Sequence, residues 1–173
     1  MLTTHIQHAY ACVVGAITQR VKQRPFRSPA EGAFVGLLVV AEQVHQQLEQ
    51  LCRLSGITHA QYNVLRILKG VHPEGHPRFE IGNRLIRRAP DVTRLLDRLQ
   101  QQGLIERAWD QENRRQSIAR ISERGLTLLR TIEPALVRLQ RQVLSPLTRD
   151  QVQTLAIILD QLSRQIERQP ASP

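Results

Sequence analysis

The sequence predicts a mainly α-helical protein with one small two-stranded β unit, on three observations. Apolar residues recur at alternating spacings of three and four in three long stretches, which is the rhythm of a helix face. The rhythm changes to alternation over Leu104–Trp109 and Gln116–Ile121, which reads as a hairpin. Three helix-start signals, at Ser28, Thr58 and Thr148, each stand just before a helical stretch.

The first long helix starts at Ser28-Pro29-Ala30-Glu31, a capping box with proline at the first helical position. Phe34, Leu37, Ala41, Val44, Leu48 and Leu51 then form one continuous seam, and Gly56 is placed to end it. Thr58-His59-Ala60-Gln61 opens a second helix, with Ile57 and Tyr62 as its hydrophobic staple, and that helix stops near Gly70. Residues 71–77 hold two prolines and a glycine and read as a loop. Two short helices follow, Arg78–Arg87 and Pro90–Gln102, the second ended by Gly103. After the hairpin, Leu129, Ile132, Leu136, Leu139 and Val143 give a second seam, with Pro134 expected to kink it. Thr148-Arg149-Asp150-Gln151 restarts the helix, and Val152, Leu155, Leu159, Leu162 and Ile166 form the third seam. Tyr10, Val13, Ile17 and Val21 give residues 1–27 a weaker amphipathic pattern, consistent with an extra helix.

At 173 residues, 41% hydrophobic and 23% charged, the chain fits one domain or two small units sharing a core. Its formal charge of +9 points to polyanionic partners, nucleic acid before anionic membrane. Lys22 and Lys69 are the only lysines among 24 basic residues, and arginine's planar fork suits phosphate and guanine edges. Cys12 and Cys52 are the only cysteines. The apolar run Cys12–Ile17 is too short for a signal peptide or membrane span, so a cytoplasmic protein with reduced thiols is expected.

The segment 90–103, wound as a helix, places Val92, Leu95, Leu96 and Leu99 on one face. Thr93, Arg94, Asp97, Arg98 and Gln101 fall on the other, with Asp91 beside them. Such a helix can seat itself by its leucines and offer arginine to a major groove. Arg84, Arg87 and Arg88 lie at the junction with the preceding helix, where phosphate contacts would fix orientation. An ordinary amphipathic helix with a solvated charged face has the same pattern. The hairpin separates the two readings, because its turn carries Arg114 and Arg115, placed to reach an adjacent minor groove. Helix, helix and a basic-tipped hairpin within about forty residues define a winged helix-turn-helix.

Ile81-Gly82-Asn83-Arg84-Leu85, followed by Pro90-Asp91-Val92-Thr93-Arg94-Leu95-Leu96-Asp97-Arg98-Leu99, closely resembles the helix-turn-helix of the MarR family. Gly103-Leu104-Ile105-Glu106-Arg107, the turn Asp110–Arg115 and Ile121-Ser122-Glu123-Arg124-Gly125 resemble its wing and the turn after it. The resemblance runs from about residue 31 to 168. It implies a homodimer with interlocked N- and C-terminal helices, gripping a pseudo-palindromic operator in double-stranded DNA. It also implies a repressor released by a small, often aromatic or anionic, effector or by an oxidant. Asn113 departs from the family's usual aspartate, and residues 1–30 extend beyond its usual start.

The expected organisation is an N-terminal extension at 1–27, a helical dimerisation unit from 28–56 and 123–168, and a DNA-binding unit at 57–122. His45, His59 and Tyr62 are candidates for an effector pocket, though the two histidines fall near predicted helix surfaces. Cys12 resembles the lone N-terminal cysteine of the family's peroxide-sensing branch, so a thiol-based regulator is one alternative. A winged helix serving as a protein-interaction module is another. His72 and His76 are separated by Pro-Glu-Gly, which precludes a shared helical face for a metal. No metal, cofactor or catalytic motif is read from the chain.

Overall fold

The computed structural model describes residues 15–22, 26–86, 91–109 and 117–168. Seven helices and three strands follow in the order α1 (Gly15–Val21), α2 (Pro29–Leu54), α3 (His59–Lys69), β1 (His76–Pro77), α4 (Arg78–Arg84), α5 (Val92–Gln101), β2 (Ile105–Trp109), β3 (Ser117–Ile121), α6 (Glu123–Leu144) and α7 (Arg149–Arg168) among the described residues. The mainly helical class with a small antiparallel sheet is therefore present.

The helix starts follow local chemistry. Ser28 Oγ accepts the Glu31 N–H at 3.2 Å, and the Glu31 carboxylate accepts the Arg27 N–H at 2.6 Å. At Thr58 the box is reciprocal: Thr58 Oγ1 accepts the Gln61 N–H, and Gln61 Oε1 accepts the Thr58 N–H. Thr148 and Gln151 repeat that exchange at the start of α7. Each closes backbone donors that the first helical turn leaves unsatisfied. α6 runs unbroken through the exposed Pro134.

The sheet has one strand more than the sequence predicts. Its order is β1–β3–β2, all antiparallel, with His76 opposite Ala119 and Pro77 opposite Ile118. Proline is tolerated there because β1 is an edge strand. Gly75 makes the approach possible: its φ is +80°, and a Cβ would strike the Ala119 carbonyl. In the hairpin itself Ile105 faces Ile121 and Trp109 faces Ser117. The predicted hairpin tip, with Arg114 and Arg115, lies outside the described residues.

One core joins these elements. Val64, Leu65 and Leu68 of α3, Ile81 of α4, Leu96 and Leu99 of α5, Ile105 of β2 and Ile132 of α6 are buried together. Gly125 lets α6 lie directly on the chain before β2, since a Cβ would collide with the Leu104 carbonyl. Ser122 fixes that crossing by accepting the Gly125 N–H and donating to the Gly103 carbonyl at 2.7 Å. α1 rests on α2 where Gly36 leaves room for Ile17.

Two of the three predicted seams lie largely outside this core. Phe34, Leu37, Leu38 and Val40 are exposed on α2, as are Ile157, Ile158, Leu159, Leu162 and Ile166 on α7. No residue of α7 is buried.

Candidate nucleic-acid interface

α5 sits with its apolar stripe on the core and its polar face outward. Leu96 and Leu99 are buried, Val92 and Leu95 pack against the same cluster, and Thr93, Arg94, Asp97, Arg98 and Gln101 are exposed. The helix is shorter than its pattern suggests. It begins at Val92, because Asp91 is the N-cap: its carboxylate accepts the Arg94 N–H at 2.9 Å. Asp91 therefore already has a partner at the helix end, and Pro90 before it lies outside the described residues. α4 ends at Arg84 rather than Arg87. Arg87 and Arg88 also lie outside the described residues.

Arg84 is half-exposed and holds Glu80 one turn back, through Nε at 2.7 Å and Nη2 at 2.6 Å. A phosphate contact from Arg84 would compete with that exposed pair, which is a weak one. Thr93 is within reach of Arg78, whose Nη1 stands 3.5 Å from its Oγ1.

The residue that sequence reasoning missed is Arg107. From β2 its Nη2 donates to Asp97 Oδ1 at 2.8 Å and to the Thr93 carbonyl at 3.3 Å, while its buried Nε has no partner. One guanidinium thus ties two turns of α5 to the wing strand. It also removes Asp97 from the free outward face. Arg78, Phe79, Thr93, Arg107 and Trp109 line an open cleft of about 310 Å³ between α5 and the sheet, and Trp109 is 70% exposed.

His45, His59 and Tyr62 do come together, but as packed side chains. His59 is only 8% exposed, contrary to its expected place near the surface, because the first turn of α3 is pressed onto α2. His59 Nδ1 lies 3.1 Å from His45 Nδ1, and the His59 ring stacks on Tyr62 with centroids 6.2 Å apart. The Glu49 carboxylate accepts the backbone N–H of His59 at 3.0 Å, and chiefly for that reason it is held below the usual carboxylate range. Cys52 is buried. Its thiol is pushed up to about 11, by burial first and by the charge of Glu49 second, so it is protonated and unreactive at neutral pH. Cys12 lies outside the described residues. Among the described residues no three His, Cys, Asp or Glu side chains converge to hold a metal, and no helix is long and apolar enough to cross a membrane.

A helix anchored by leucines, presenting threonine and arginine, followed by a sheet that clamps it, defines the winged helix-turn-helix class. A MarR family model matches residues 57–117. A MarR transcription factor from Planctomyces limnophilus is 32% identical, with 78% of this chain and 98% of that one covered and a TM-score of 0.61. The Bacillus subtilis (strain 168) regulator MhqR is 24% identical over 120 residues, 69% of this chain and 81% of its own. A point mutant of MarR from E. coli, solved in complex with operator DNA, has the same fold at 23% identity, with 73% and 89% covered and a TM-score of 0.66. The chain belongs to the MarR family.

Proposed function

We propose that this chain is a homodimeric transcriptional regulator that reads operator DNA with α5 and its wing. The observation that carries the reading is the outward face of α5, where Thr93, Arg94 and Arg98 stand exposed on a helix seated by Leu96 and Leu99. Residues 57–122 form the DNA-reading unit. Residues 28–56 and 123–168 form the dimerisation unit, whose exposed apolar faces on α2 and α7 meet those of a second copy. Residues 1–27 are an N-terminal extension, of which α1 rests on α2.

In this arrangement Arg94 and Thr93 contact base edges, Arg98 and Arg84 contact phosphates with Arg87 and Arg88, and Arg114 and Arg115 enter the minor groove. The regulator acts as a repressor, released by a small anionic or aromatic effector. The net charge of +9 supplies the salt-dependent part of the affinity.

Selection of bound duplexes from a random pool tests the reading. An inverted repeat with half-sites about one helical turn apart is expected, with affinity falling steeply as salt rises. A pool that stays random through repeated rounds sinks the sequence-specific reading.

Two substitutions then separate reading from clamping. Arg94→Ala is expected to cost about 1–3 kcal/mol on the selected duplex and to relax the preference at one position of each half-site. Unchanged discrimination would remove Arg94 from the interface. Arg107→Gln is expected to lower the ratio of selected to random affinity about tenfold while leaving the slope of log affinity against log salt unchanged, since it touches no phosphate. A slope reduced by about one would make Arg107 a phosphate contact instead.

A further inference from the structure

The cleft between α5 and the sheet carries a cation and two aromatic rings that the packing of the core does not use. Among the described residues of 57–122 the exposed large apolar side chains are Phe79, Ile86 and Trp109, and two of these three line this one cleft. Apolar residues exposed singly are ordinary, but two large rings beside a cation mark a surface that meets a partner. Trp109 is the last residue of β2. Strand alternation puts it on the same face as Ile105 and Arg107, the face turned to α5. Ile105 is buried and Arg107 is held by Asp97, whereas the Trp109 indole stands open to solvent.

Arg78 lines the same cleft from α4 and is exposed. Among the described residues no carboxylate pairs with it. Its Nη1 is 3.5 Å from Thr93 Oγ1, the outer limit of a hydrogen bond, so the guanidinium keeps donors for a further acceptor. It stands in the first turn of α4, where the helix dipole disfavours a cation, so the charge does not serve the helix.

A free guanidinium beside exposed rings suits a sugar–phosphate chain. The guanidinium takes phosphate oxygens, and an aromatic face covers the apolar side of a deoxyribose. An acidic peptide would match the charge as well, but the position of Thr93 favours DNA. Thr93 belongs both to this cleft and, with Arg94, to the exposed face of α5. A duplex read by that face runs its backbone past the mouth of the cleft, and the net charge of +9 draws it there.

We infer that the mouth of this cleft is a cradle for the DNA backbone, in which one phosphate rests on Arg78 and the adjoining deoxyribose lies against the Trp109 indole, with Phe79 closing the apolar side. The inference rests on the DNA-reading function proposed above. It adds contacts that position α5 on the duplex without reading its sequence.

Trp109 is the only tryptophan of the chain, so its emission reports on this cleft alone. The full chain is titrated with the selected duplex while binding is followed separately by the anisotropy of a label on the DNA. Tryptophan emission is expected to shift to shorter wavelength with the same midpoint as the anisotropy. Unshifted emission at saturating anisotropy overturns the cradle and leaves DNA reading intact. No anisotropy change with any duplex removes the functional reading, and the cradle with it. An equal shift on adding polyglutamate would overturn DNA as the occupant in favour of an acidic protein segment. Arg78→Gln is expected to weaken selected and random duplexes by the same factor and to lower the slope of log affinity against log salt by about one, and Arg78→Lys to restore the slope. A loss confined to the selected duplex would make Arg78 a base contact, and an unchanged slope would remove it from the interface. Trp109→Ala is expected to weaken both duplexes about fivefold, through apolar area no longer covered, with the slope unchanged. Full affinity in that variant overturns the part given to the indole.

Discussion

Replacing Ile158 and Leu162 together by glutamate is expected to leave the chain folded but monomeric. Both side chains are exposed in the single chain, at 46% and 43%, and they lie one turn apart on α7, no residue of which is buried. The core built around α3 and α5 does not include them, so its melting temperature should change little. In a dimer closed by this face, two substitutions per chain place four carboxylates in an apolar contact. At on the order of 1–2 kcal/mol for each imperfectly solvated charge, dimerisation weakens by about 4–8 kcal/mol, which is roughly three to six decades in the dissociation constant. Sedimentation at micromolar concentration reads this directly. The same variant should bind an inverted repeat at least a hundredfold more weakly, because the second half-site is no longer held at high effective concentration. A double variant that still sediments as a dimer would move the interface off α7.

Much of this architecture is legible in the chain because its signals are local. The capping boxes at Thr58 and Thr148 need only residues three apart, and both form as read. The two faces of α5 separate because its apolar positions repeat at helical spacing: Leu96 and Leu99 are buried, and Val92 and Leu95 pack against the same cluster. What escapes is pairing across elements. Arg107 finds Asp97 ten residues earlier and on a different element, and no spacing rule links a strand residue to the preceding helix. His45 and His59 lie fourteen residues apart on successive helices, so only the crossing of α2 and α3 makes them neighbours. β1 is two residues long and ends in proline, too short to show any period. Asp91 was legible as a cap, since an acidic residue ahead of an apolar run is a common helix start. The proline beside it drew the boundary two residues too early. The third seam was legible from its helical spacing, and its apolar residues Leu159, Leu162 and Ile166 stand exposed on α7.

Leu99→Ala tests whether α5 is seated as described, and its effect on stability should be large. Leu99 is fully buried, in the same cluster as Leu65, Leu68 and Ile105. Alanine is the best helix former, so α5 itself does not suffer from the change. The loss is therefore that of the removed methyl groups and of the cavity they leave, about 2–5 kcal/mol. Against a typical domain stability of about 5–15 kcal/mol, that lowers the melting temperature by roughly 5–15 °C for a chain of this size. Gln100→Ala, one position along on the exposed face, serves as the control and should stay within about 0.5 kcal/mol of wild type. The two variants should also differ in DNA binding. At a temperature where both are folded, the loosened seat of Leu99→Ala lets the arginine face of α5 wander, so discrimination between selected and random duplex falls while salt dependence persists. If Leu99→Ala melts with the control, the leucine stripe does not anchor α5, and the outward placement of Thr93, Arg94 and Arg98 loses its support.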